Sequence, residues 1–220
     1  MDYTRQADLV DSRIFETPIT VIGAGGIGSF TTLALAKMGF QEIYVFDPDK
    51  VEGHNLPNQF YCTMDIGSYK VTSLACIVKD FTGVSILPTT TIWDKSLPLP
   101  IGVVISAVDT MKVRSELYNA LNATKCILID GRMGGHQLEV RTCNMGKVED
   151  KKMYKKTLWK DSETSPLPCT QKAVMYNVLM IASLIANQCR LTLEHKKYNR
   201  EIIYDFETGM MLSSNECMIA

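Results

Sequence analysis

The chain has 220 residues, of which 46% are hydrophobic and 21% charged, and its formal net charge is −1. This size and composition predict one globular domain with a substantial buried core, and the near-neutral charge argues against a nucleic-acid-binding protein, which needs concentrated Lys and Arg. Seven cysteines with no Cys-x-x-Cys pair predict reduced thiols and argue against a structural zinc site.

Neither the N-terminus nor the longest apolar run carries a targeting or membrane signal. Residues 1–8 are polar and include acidic side chains, unlike a signal or transit peptide. The longest strongly apolar run, 178–186, is shorter than the roughly 20 residues that cross a bilayer. We therefore expect a cytoplasmic protein that binds neither a membrane nor nucleic acid.

The first predicted βα unit carries a glycine-rich motif. An apolar strand over 18–23 leads directly into a helix over 27–39, and Gly23, Gly25 and Gly28 form G-x-G-x-x-G between them. The first glycine permits a tight turn, the second lets the backbone approach a phosphate, and the third lets the helix pack closely on the sheet. The helix N-terminus then offers unpaired N–H donors to an anion. The motif alone predicts a nucleotide and leaves the chemistry open.

A second strand, 42–46, ends at Asp47. This carboxylate lies about 20 residues beyond the glycine motif, where an acidic residue commonly binds a ribose hydroxyl. The alternative is an Asp that only forms a turn before Pro48. The following segment, 49–60, is rich in Asn, Gly and Pro, which predicts a loop or short helical turns at the edge of the sheet where ligands bind.

A lysine lies in the first turn of the next predicted helix. Residues 67–70 lead into a helix that runs to about 81, with Ser68 as a candidate cap and Lys70 in the first turn. A cation at this end opposes the helix dipole. A bound phosphate would compensate for that unfavourable position, and the alternative is a lysine that is merely solvated.

A second acidic residue follows a central strand. After a short strand near 84–87, the continuous apolar run 101–108 is typical of a strand buried on both faces of a parallel sheet. It ends at Asp109, just before a helix over about 112–121. An acidic residue at this position lies in the ligand crevice of an open α/β sheet. Asp109 is also a candidate N-cap, and the two roles can coexist.

The remainder of the chain predicts strands, a charged surface and one long helix. A buried strand over 126–130 is followed by a flexible glycine-containing turn at 131–135, and the alternation over 138–143 predicts a more exposed strand. The densely charged region 146–164 is expected to lie on the surface. The last elements are an extended loop over 165–170, an apolar helix over 173–187 and a β-hairpin over 201–212.

These elements predict an α/β fold with a Rossmann-like, doubly wound sheet. The sheet is expected to be mostly parallel, with an antiparallel C-terminal portion. We expect residues 1–220 to form a single domain.

Taken together, the motifs resemble those of the ThiF/MoeB/HesA family, the ubiquitin-activating-type adenylyltransferases. The resemblance covers roughly residues 1–190, and its order and spacing are much more specific than the glycine motif alone. The matching residues are 23–29 in the glycine loop, Asp47, Asp49, Val51, Asn55, Leu56, Gln59, Gly67, Lys70, Asp109 and the tripeptide Pro168-Cys169-Thr170.

The resemblance implies an ATP-binding adenylyltransferase. Family members bind ATP and magnesium and adenylate the C-terminal carboxylate of a small ubiquitin-like protein, a sulfur carrier or modifier, or of a peptide. By that resemblance the glycine loop, including Gly26, would lie against the phosphates. A homodimer is also implied, because an arginine finger of the family reaches into the partner subunit's site. Arg5 resembles that finger, and Arg13 is the alternative.

The other roles are likewise implied by the resemblance. Asp47 would hold the ribose, and Asp49 would belong to the same nucleotide site. Asn55 and Gln59 would line the phosphate side, where Lys70 would contact phosphate oxygens. The resemblance also implies that Asp109 holds magnesium.

The chemistry of adenylation agrees with these side chains. A carboxylate that attacks the α-phosphorus of ATP brings anions together, and charge builds on the phosphoryl oxygens as pyrophosphate leaves. Catalysis therefore needs positioning and positive charge more than a strong base. Lys70, Arg5, a metal at Asp109 and helix N–H donors would provide both.

The sequence departs from the family pattern at two points. The family often has arginine immediately before the matching glutamine, whereas this chain has Asn58, so one cationic phosphate contact is missing. The chain also has no zinc-binding cysteine pairs and no appended ubiquitin-like domain. We therefore expect a compact member that meets its partner in trans.

Cys169 is the candidate for a second chemical step. Some family members transfer the acyl group from the adenylate to a cysteine, and Cys169 matches that signature. The N-terminus of the helix that follows would favour its thiolate. The alternative is a small residue at a loop–helix junction, with adenylation as the only reaction. Three other cysteines are expected to fill the core: Cys76, Cys126 and Cys189.

Two further functions remain open from the sequence. A nicotinamide-dependent oxidoreductase would use the same glycine loop but would leave Asn55, Gln59 and Lys70 unexplained. A non-catalytic nucleotide-binding subunit would be consistent with Asn58 in place of the family's arginine.

Overall fold

The computed structural model describes residues 1–94, 96–97, 102–159 and 174–215, and a mixed β-sheet lies at its centre. The strands are β1 (Ile19–Ile22), β2 (Ile43–Phe46), β3 (Leu87–Thr89), β4 (Val103–Ser106), β5 (Ile127–Gly134), β6 (Gln137–Asn144), β7 (Asn199–Asp205) and β8 (Met211–Asn215). The α-helices are α1 (Gly26–Met38), α2 (Lys70–Thr82), α3 (Met111–Leu121), α4 (Val148–Lys155) and α5 (Met175–Leu193). Short 3₁₀ helices span Thr4–Gln6, Ser12–Glu16, Gly53–Asn55 and Thr63–Asp65.

The strand order is β3-β2-β1-β4-β5-β6-β7-β8. The five strands β1 to β5 are parallel to one another. Strand β6 pairs antiparallel with β5, β7 with β6, and β8 with β7. The chain runs outward from β1 through β2 and β3, then returns to place β4 on the other side of β1. Connections leave β1 and β4 in opposite directions, which opens a crevice at their carboxyl ends. The predicted fold class is confirmed.

Helices cover both faces of the parallel strands. Val103 and Ile105 of β4 belong to the apolar cluster packed against α1, α2 and α5, whereas Val104 belongs to the cluster formed with α3 and α4. All four residues of β4 are buried, as expected for a parallel strand with helices on both sides. The apolar run in the sequence therefore reflects burial on two faces.

The prediction of a flexible turn at 131–135 is wrong for residues 131–134. Strand β5 continues to Gly134, and only Gly135 and His136 connect it to β6. A Cβ at Gly131 would lie 2.9 Å from Ile185 Cδ1 of α5 and 3.1 Å from Ile27 Cγ2 of α1. Glycine is therefore needed at 131 for close packing of helices on the strand rather than for a turn.

Several element boundaries also differ from the predictions. The strand expected at 84–87 is formed by Leu87–Thr89. Helix α2 begins at Lys70, so this lysine lies in the first turn as expected. Strand β6 is more exposed than β5, as expected, because its buried residues Leu138, Val140 and Thr142 alternate with partly exposed ones. Helix α5 continues to Leu193, beyond the predicted end. The C-terminal hairpin is confirmed by the pairing of β7 with β8.

One surface expectation is confirmed and one core expectation is partly wrong. The described part of the charged region, 146–159, is mostly exposed as expected, although the Asp150 and Tyr154 side chains of α4 are buried. Cys76 is exposed on α2 and does not fill the core, whereas Cys126 and Cys189 are buried as expected. In the portion of the chain that the structure describes, no helix combines the length and apolarity that a bilayer span requires.

Candidate functional site

The glycine loop is wedged between two other segments at the β1–β4 crevice. Gly23 has a φ of 99°, and a Cβ there would lie 2.6 Å from the Ala107 carbonyl oxygen after β4. A Cβ at Gly28 would lie 1.8 Å from the Gly23 oxygen, and one at Gly26 would lie 2.8 Å from the Asn58 oxygen. Backbone contacts on three sides thus explain why the motif needs glycine.

The loop ends in a helix N-terminus without a side-chain cap. Gly25 is the N-cap of α1 and has no side chain to accept from the first-turn N–H groups. Gly23, Gly25 and Gly26 are all partly accessible to solvent, whereas Ala24 between them is buried. Exposed backbone donors at the positive end of a helix dipole are suited to an anion such as phosphate.

Asp47 and Tyr61 bind the backbone N–H and the backbone oxygen of Ala24, respectively. The Ala24 N–H donates to Asp47 Oδ2 over 2.6 Å, and the Tyr61 hydroxyl donates to the Ala24 oxygen over 2.6 Å. The other oxygen of Asp47 accepts from the Asp49 N–H over 2.8 Å. Burial raises the pKa of Asp47, although the Ala24 hydrogen bond and Lys70 act in the opposite direction. Asp47 therefore fixes the glycine loop, a role beyond the turn predicted before Pro48.

Lys70 is buried and paired with Asp49. Its Nζ donates to Asp49 Oδ2 over 2.8 Å, and its side chain is 9% exposed against 64% for Asp49. The Lys70 N–H also donates to the Asp49 carbonyl oxygen. The alternative of a merely solvated lysine is therefore wrong. Ser68 is not the cap, because Tyr69 is the N-cap of α2 and its side chain makes no capping hydrogen bond.

The two predicted amides differ in their surroundings. Asn55 is buried, and its Oδ1 accepts from the Glu52 N–H over 2.9 Å, which shapes the loop. Gln59 lies beside the glycine loop, with Nε2 3.9 Å from where a Cβ on Gly25 would be. The Oε1 atom of Gln59 is buried and has no hydrogen-bond partner. Such an acceptor is expected to gain a partner from a ligand or from water.

Asp109 lies at the carboxyl edge of β4 and is exposed. It is two residues beyond Ala107, whose N–H donates to the Ile22 oxygen and whose own oxygen lies against Gly23. The capping alternative for Asp109 is wrong, because Thr110 is the N-cap of α3 and its hydroxyl accepts from Val113. Asp109 therefore follows the strand end that contacts the glycine loop, at the edge of the sheet where ligands bind in this fold.

A carboxylate in this position fits magnesium. Mg²⁺ commonly binds one or two carboxylates together with substrate phosphate oxygens and water. Among the described residues no three His, Cys, Asp or Glu side chains are grouped to hold a metal by themselves. The donor set thus suits a metal that is carried largely by phosphate.

Arg5 lies far from the glycine loop of its own chain. It is exposed in the first 3₁₀ helix, and the neighbouring Gln6 side chain donates to the Met38 oxygen at the end of α1. Phe15 packs edge-on against Phe40, with ring centroids 5.4 Å apart, and anchors the same segment. The glycine loop is at the opposite end of this 13-residue helix, about 20 Å away at 1.5 Å per residue.

Two candidates remain, Arg13 and Cys169. Arg13, the alternative to Arg5, is exposed and paired with Asp11 over 2.5 Å. Cys169 lies outside the described residues, within 160–173.

A buried charged cluster next to the site was missed by the sequence reasoning. Asp130 lies at the register position of Ser106 in the neighbouring strand and is completely buried. It accepts from Arg114 Nε over 2.9 Å and from Arg132 Nε over 2.7 Å. The sequence does contain a signal for Asp130, because this residue follows an apolar strand as Asp47 and Asp109 do.

Comparison with known proteins supports the sequence resemblance. The profile described as "ThiF family" matches residues 4–209. SUMO-activating enzyme subunit uba-2 of Caenorhabditis elegans is 30% identical over 144 residues, which are 62% of this chain and 25% of that protein. The SAMP-activating enzyme E1 of Haloferax volcanii is 34% identical over 125 residues, which are 54% of this chain and 46% of that protein. The chain thus spans less than half the length of these relatives.

Solved structures share the fold. A complex of E. coli MccB with AMPCPP and MccA superposes with a TM-score of 0.75 at 17% identity, covering 92% of this chain and 64% of that one. PaaA gives a TM-score of 0.75 at 16% identity, with 92% and 64% covered. At such low identity the likeness concerns the architecture alone.

Proposed function

The chain belongs to the ThiF family, and from this premise we propose that it uses ATP to adenylate the C-terminal carboxylate of a small protein or peptide, releasing pyrophosphate. The observation that carries the proposal is the connection between the glycine loop and Lys70. Asp47 holds the Ala24 amide of the loop and the Asp49 amide, and Asp49 in turn holds the Lys70 ammonium. A helix N-terminus and a buried cation are thereby fixed at one crevice.

These groups suit the triphosphate of ATP. The uncapped N–H groups of α1 would bind phosphate oxygens, and Lys70 would exchange Asp49 for a phosphate oxygen. Asp47 would accept a ribose hydroxyl with the lone pairs that the two backbone amides leave free. Gln59 would lie on the phosphate side, where its buried amide oxygen would accept from a bound water or hydroxyl group.

Adenylation then depends on positioning and charge. The partner's carboxylate attacks the α-phosphorus, the new O–P bond forms, and the bond to the β-phosphate oxygen breaks as pyrophosphate leaves. Lys70 and the helix N–H groups stabilise the charge that builds on the phosphoryl oxygens. Magnesium, held by Asp109 and phosphate oxygens, would add positive charge at the same place.

We also propose a homodimer in which Arg5 acts in trans. Arg5 lies at the end of α1 that is remote from its own glycine loop, which supports a role at the site of another copy rather than at its own. The partner is proposed to be a ubiquitin-like protein or a peptide, because the relatives include SUMO-activating and SAMP-activating enzymes and MccB is seen with MccA. The five cysteines among the described residues are free thiols, in keeping with a reducing cytoplasm.

Thioester formation on Cys169 is proposed as a second step. The Cys169 thiolate would attack the acyl carbonyl of the adenylate, a C–S bond would form, and AMP would leave with the electrons of the broken C–O bond. Cys169→Ala is then expected to retain pyrophosphate exchange but to lose a thiol-sensitive adduct with the partner. A wild-type protein that exchanges pyrophosphate and never forms this adduct would contradict the second step only.

The test of the proposal is exchange of labelled pyrophosphate into ATP, with candidate ubiquitin-like proteins and peptides supplied as carboxylate donors. Exchange that depends on both magnesium and the donor's free C-terminal carboxylate is expected, and a C-terminally amidated donor is the matched control. Nucleotide binding without exchange for any donor would favour the alternative of a non-catalytic nucleotide-binding subunit. Asn58 at the position of the family's arginine is consistent with that alternative. NAD(H) binding in preference to ATP would instead favour the oxidoreductase.

A further inference from the structure

The cluster around Asp130 contains two buried arginines that differ in what else they touch. Both donate through Nε to Asp130, Arg114 to Oδ1 and Arg132 to Oδ2. The Tyr154 hydroxyl also donates to Asp130 Oδ2, over 3.1 Å. Burial acts to raise the pKa of Asp130, but Arg114 and Arg132 outweigh it and hold that pKa below the ordinary value. The carboxylate is therefore a fixed anionic anchor for both guanidinium groups.

Arg114 also donates to the loop that carries Asp109. Its Nη2 donates to the Val108 carbonyl oxygen over 2.5 Å and to the Gly131 oxygen over 3.2 Å. Val108 immediately precedes Asp109, so the hydrogen bond to the Val108 oxygen fixes the peptide group that joins these two residues. Arg132 points elsewhere, since it donates to the Thr157 oxygen and hydroxyl over 3.2 and 3.0 Å.

We infer that Arg114 is a positioning residue for Asp109, anchored by Asp130 and acting through the Val108 carbonyl group. This inference rests on the proposed function, in which Asp109 holds magnesium on the triphosphate. A planar guanidinium can satisfy a carboxylate and a carbonyl group at once, which a single ammonium does less well. Groups that orient a metal ligand commonly change metal affinity by about 10- to 100-fold when they are removed.

Arg132 provides a matched control within the same cluster. It is buried like Arg114, is bonded to the same carboxylate and lies two residues from Asp130 on strand β5. Arg114→Lys and Arg132→Lys therefore perturb the Asp130 pair in similar ways, whereas only Arg114→Lys removes the bond to Val108. A purely structural role for the cluster predicts equal consequences for the two variants.

The experiment measures Mn²⁺ binding to the full chain by electron paramagnetic resonance, with the non-hydrolysable nucleotide AMPCPP present. Arg114→Lys is expected to weaken Mn²⁺ binding about tenfold or more, and Arg132→Lys less than twofold. Binding of AMPCPP in the presence of EDTA is expected to be the same in both variants and in the wild type. A companion measurement of pyrophosphate exchange is expected to show the same separation in the half-saturating magnesium concentration.

Equal weakening in the two variants, or no weakening in Arg114→Lys, would overturn the inference. Where Arg114→Lys unfolds, Arg114→Gln and Arg132→Gln replace the lysine pair, and the same separation is expected of them. Failure of the proposed function is a distinct result, because the wild type itself would then show neither pyrophosphate exchange nor nucleotide-dependent Mn²⁺ binding.

Discussion

Two ion pairs at the same edge of the sheet differ in how they are embedded. The Lys70–Asp49 pair has one buried partner and one that is 64% exposed. In the Asp130 cluster the carboxylate is fully buried and both arginines are nearly so. In the first pair the exposed Asp49 can move into water when another anion takes its place beside Lys70. The second cannot separate without leaving buried charges uncompensated, because all of its members are buried.

This difference indicates a division of labour between the two regions. An exposed carboxylate that holds a buried cation can be replaced by another anion, so the Lys70 pair is suited to binding. A carboxylate with hydrogen bonds from two guanidinium groups and a tyrosine is suited to holding strands and loops in place. The following variants test that division, beginning with the largest expected effect.

Asp130→Asn is expected to destabilise the fold severely. Loss of the charge leaves Arg114 and Arg132 buried without a counter-ion, which typically lowers the free energy of unfolding by about 3–5 kcal/mol. Urea denaturation followed by circular dichroism measures the effect, and Asp80→Asn on the exposed face of α2 is the control. A loss similar to that of the control would remove the distinction between the two regions.

The effect of Asp130→Asn also depends on pH. Because the folded-state pKa of Asp130 lies below 3.8, its stabilisation is complete above the unfolded-state pKa and is lost as the pH falls through the folded-state value. The difference in unfolding free energy between wild type and Asp130→Asn should therefore shrink as the pH is lowered below about 4. A difference that stays constant down to the lowest accessible pH would contradict the assigned charge.

Lys70→Met is expected to affect catalysis far more than folding. It keeps the length and apolar stem of the side chain but removes the cation, and loss of one such charge-stabilising group typically lowers the rate about 10²- to 10³-fold. Pyrophosphate exchange and thermal unfolding are measured together. The control is Lys79→Met on the same helix, where the exposed amine donates to the Gly83 oxygen and the Ser85 hydroxyl. Equal rates for the two variants would argue against a phosphate contact.

Asp49→Asn is expected to have the smallest effect. Unlike the preceding variants, it is expected to improve a property, the affinity for AMPCPP. If Asp49 competes with a phosphate for Lys70, removal of its charge should tighten metal-free binding of AMPCPP by about twofold to fivefold, as expected for removal of one partly exposed competing charge. Binding of AMP should change little, because AMP lacks the outer phosphates. Calorimetric titration in EDTA measures both, with Asp80→Asn as the control for net charge. Weaker AMPCPP binding would instead mean that Asp49 keeps Lys70 in place for the nucleotide.

The sequence predicted best what depends on local backbone geometry. The requirement for Gly23 and Gly28 follows from a turn that brings peptide groups into contact, and such a turn leaves a clear motif. The buried runs of β1 and β4 were equally readable, because helices cover both faces. The mistaken turn at Gly131 shows the limit, since a glycine required by a packed helix looks the same in sequence as one required by a turn.

Contacts between distant segments could not be predicted. Nothing local indicates that Arg114 and Arg132 share Asp130, or that Tyr61 holds the Ala24 carbonyl group. The burial of Lys70 likewise depends on how α2 meets the loop after β2. The wrong assignment of Cys76 to the core was avoidable. Cys76 lies two positions beyond the buried Leu74, and two positions turn a residue by about 200° around the helix, here towards solvent.

The anchoring of the first residues at the far end of α1 has a consequence for how activity should scale. If Arg5 contributes to chemistry, each catalytic centre is assembled from two polypeptides, and the turnover per molecule should decline on dilution as the assemblies come apart. Mixing an Arg5→Ala chain with a Lys70→Met chain should then restore turnover that neither has alone, since one of the hybrid's two centres would carry both side chains intact.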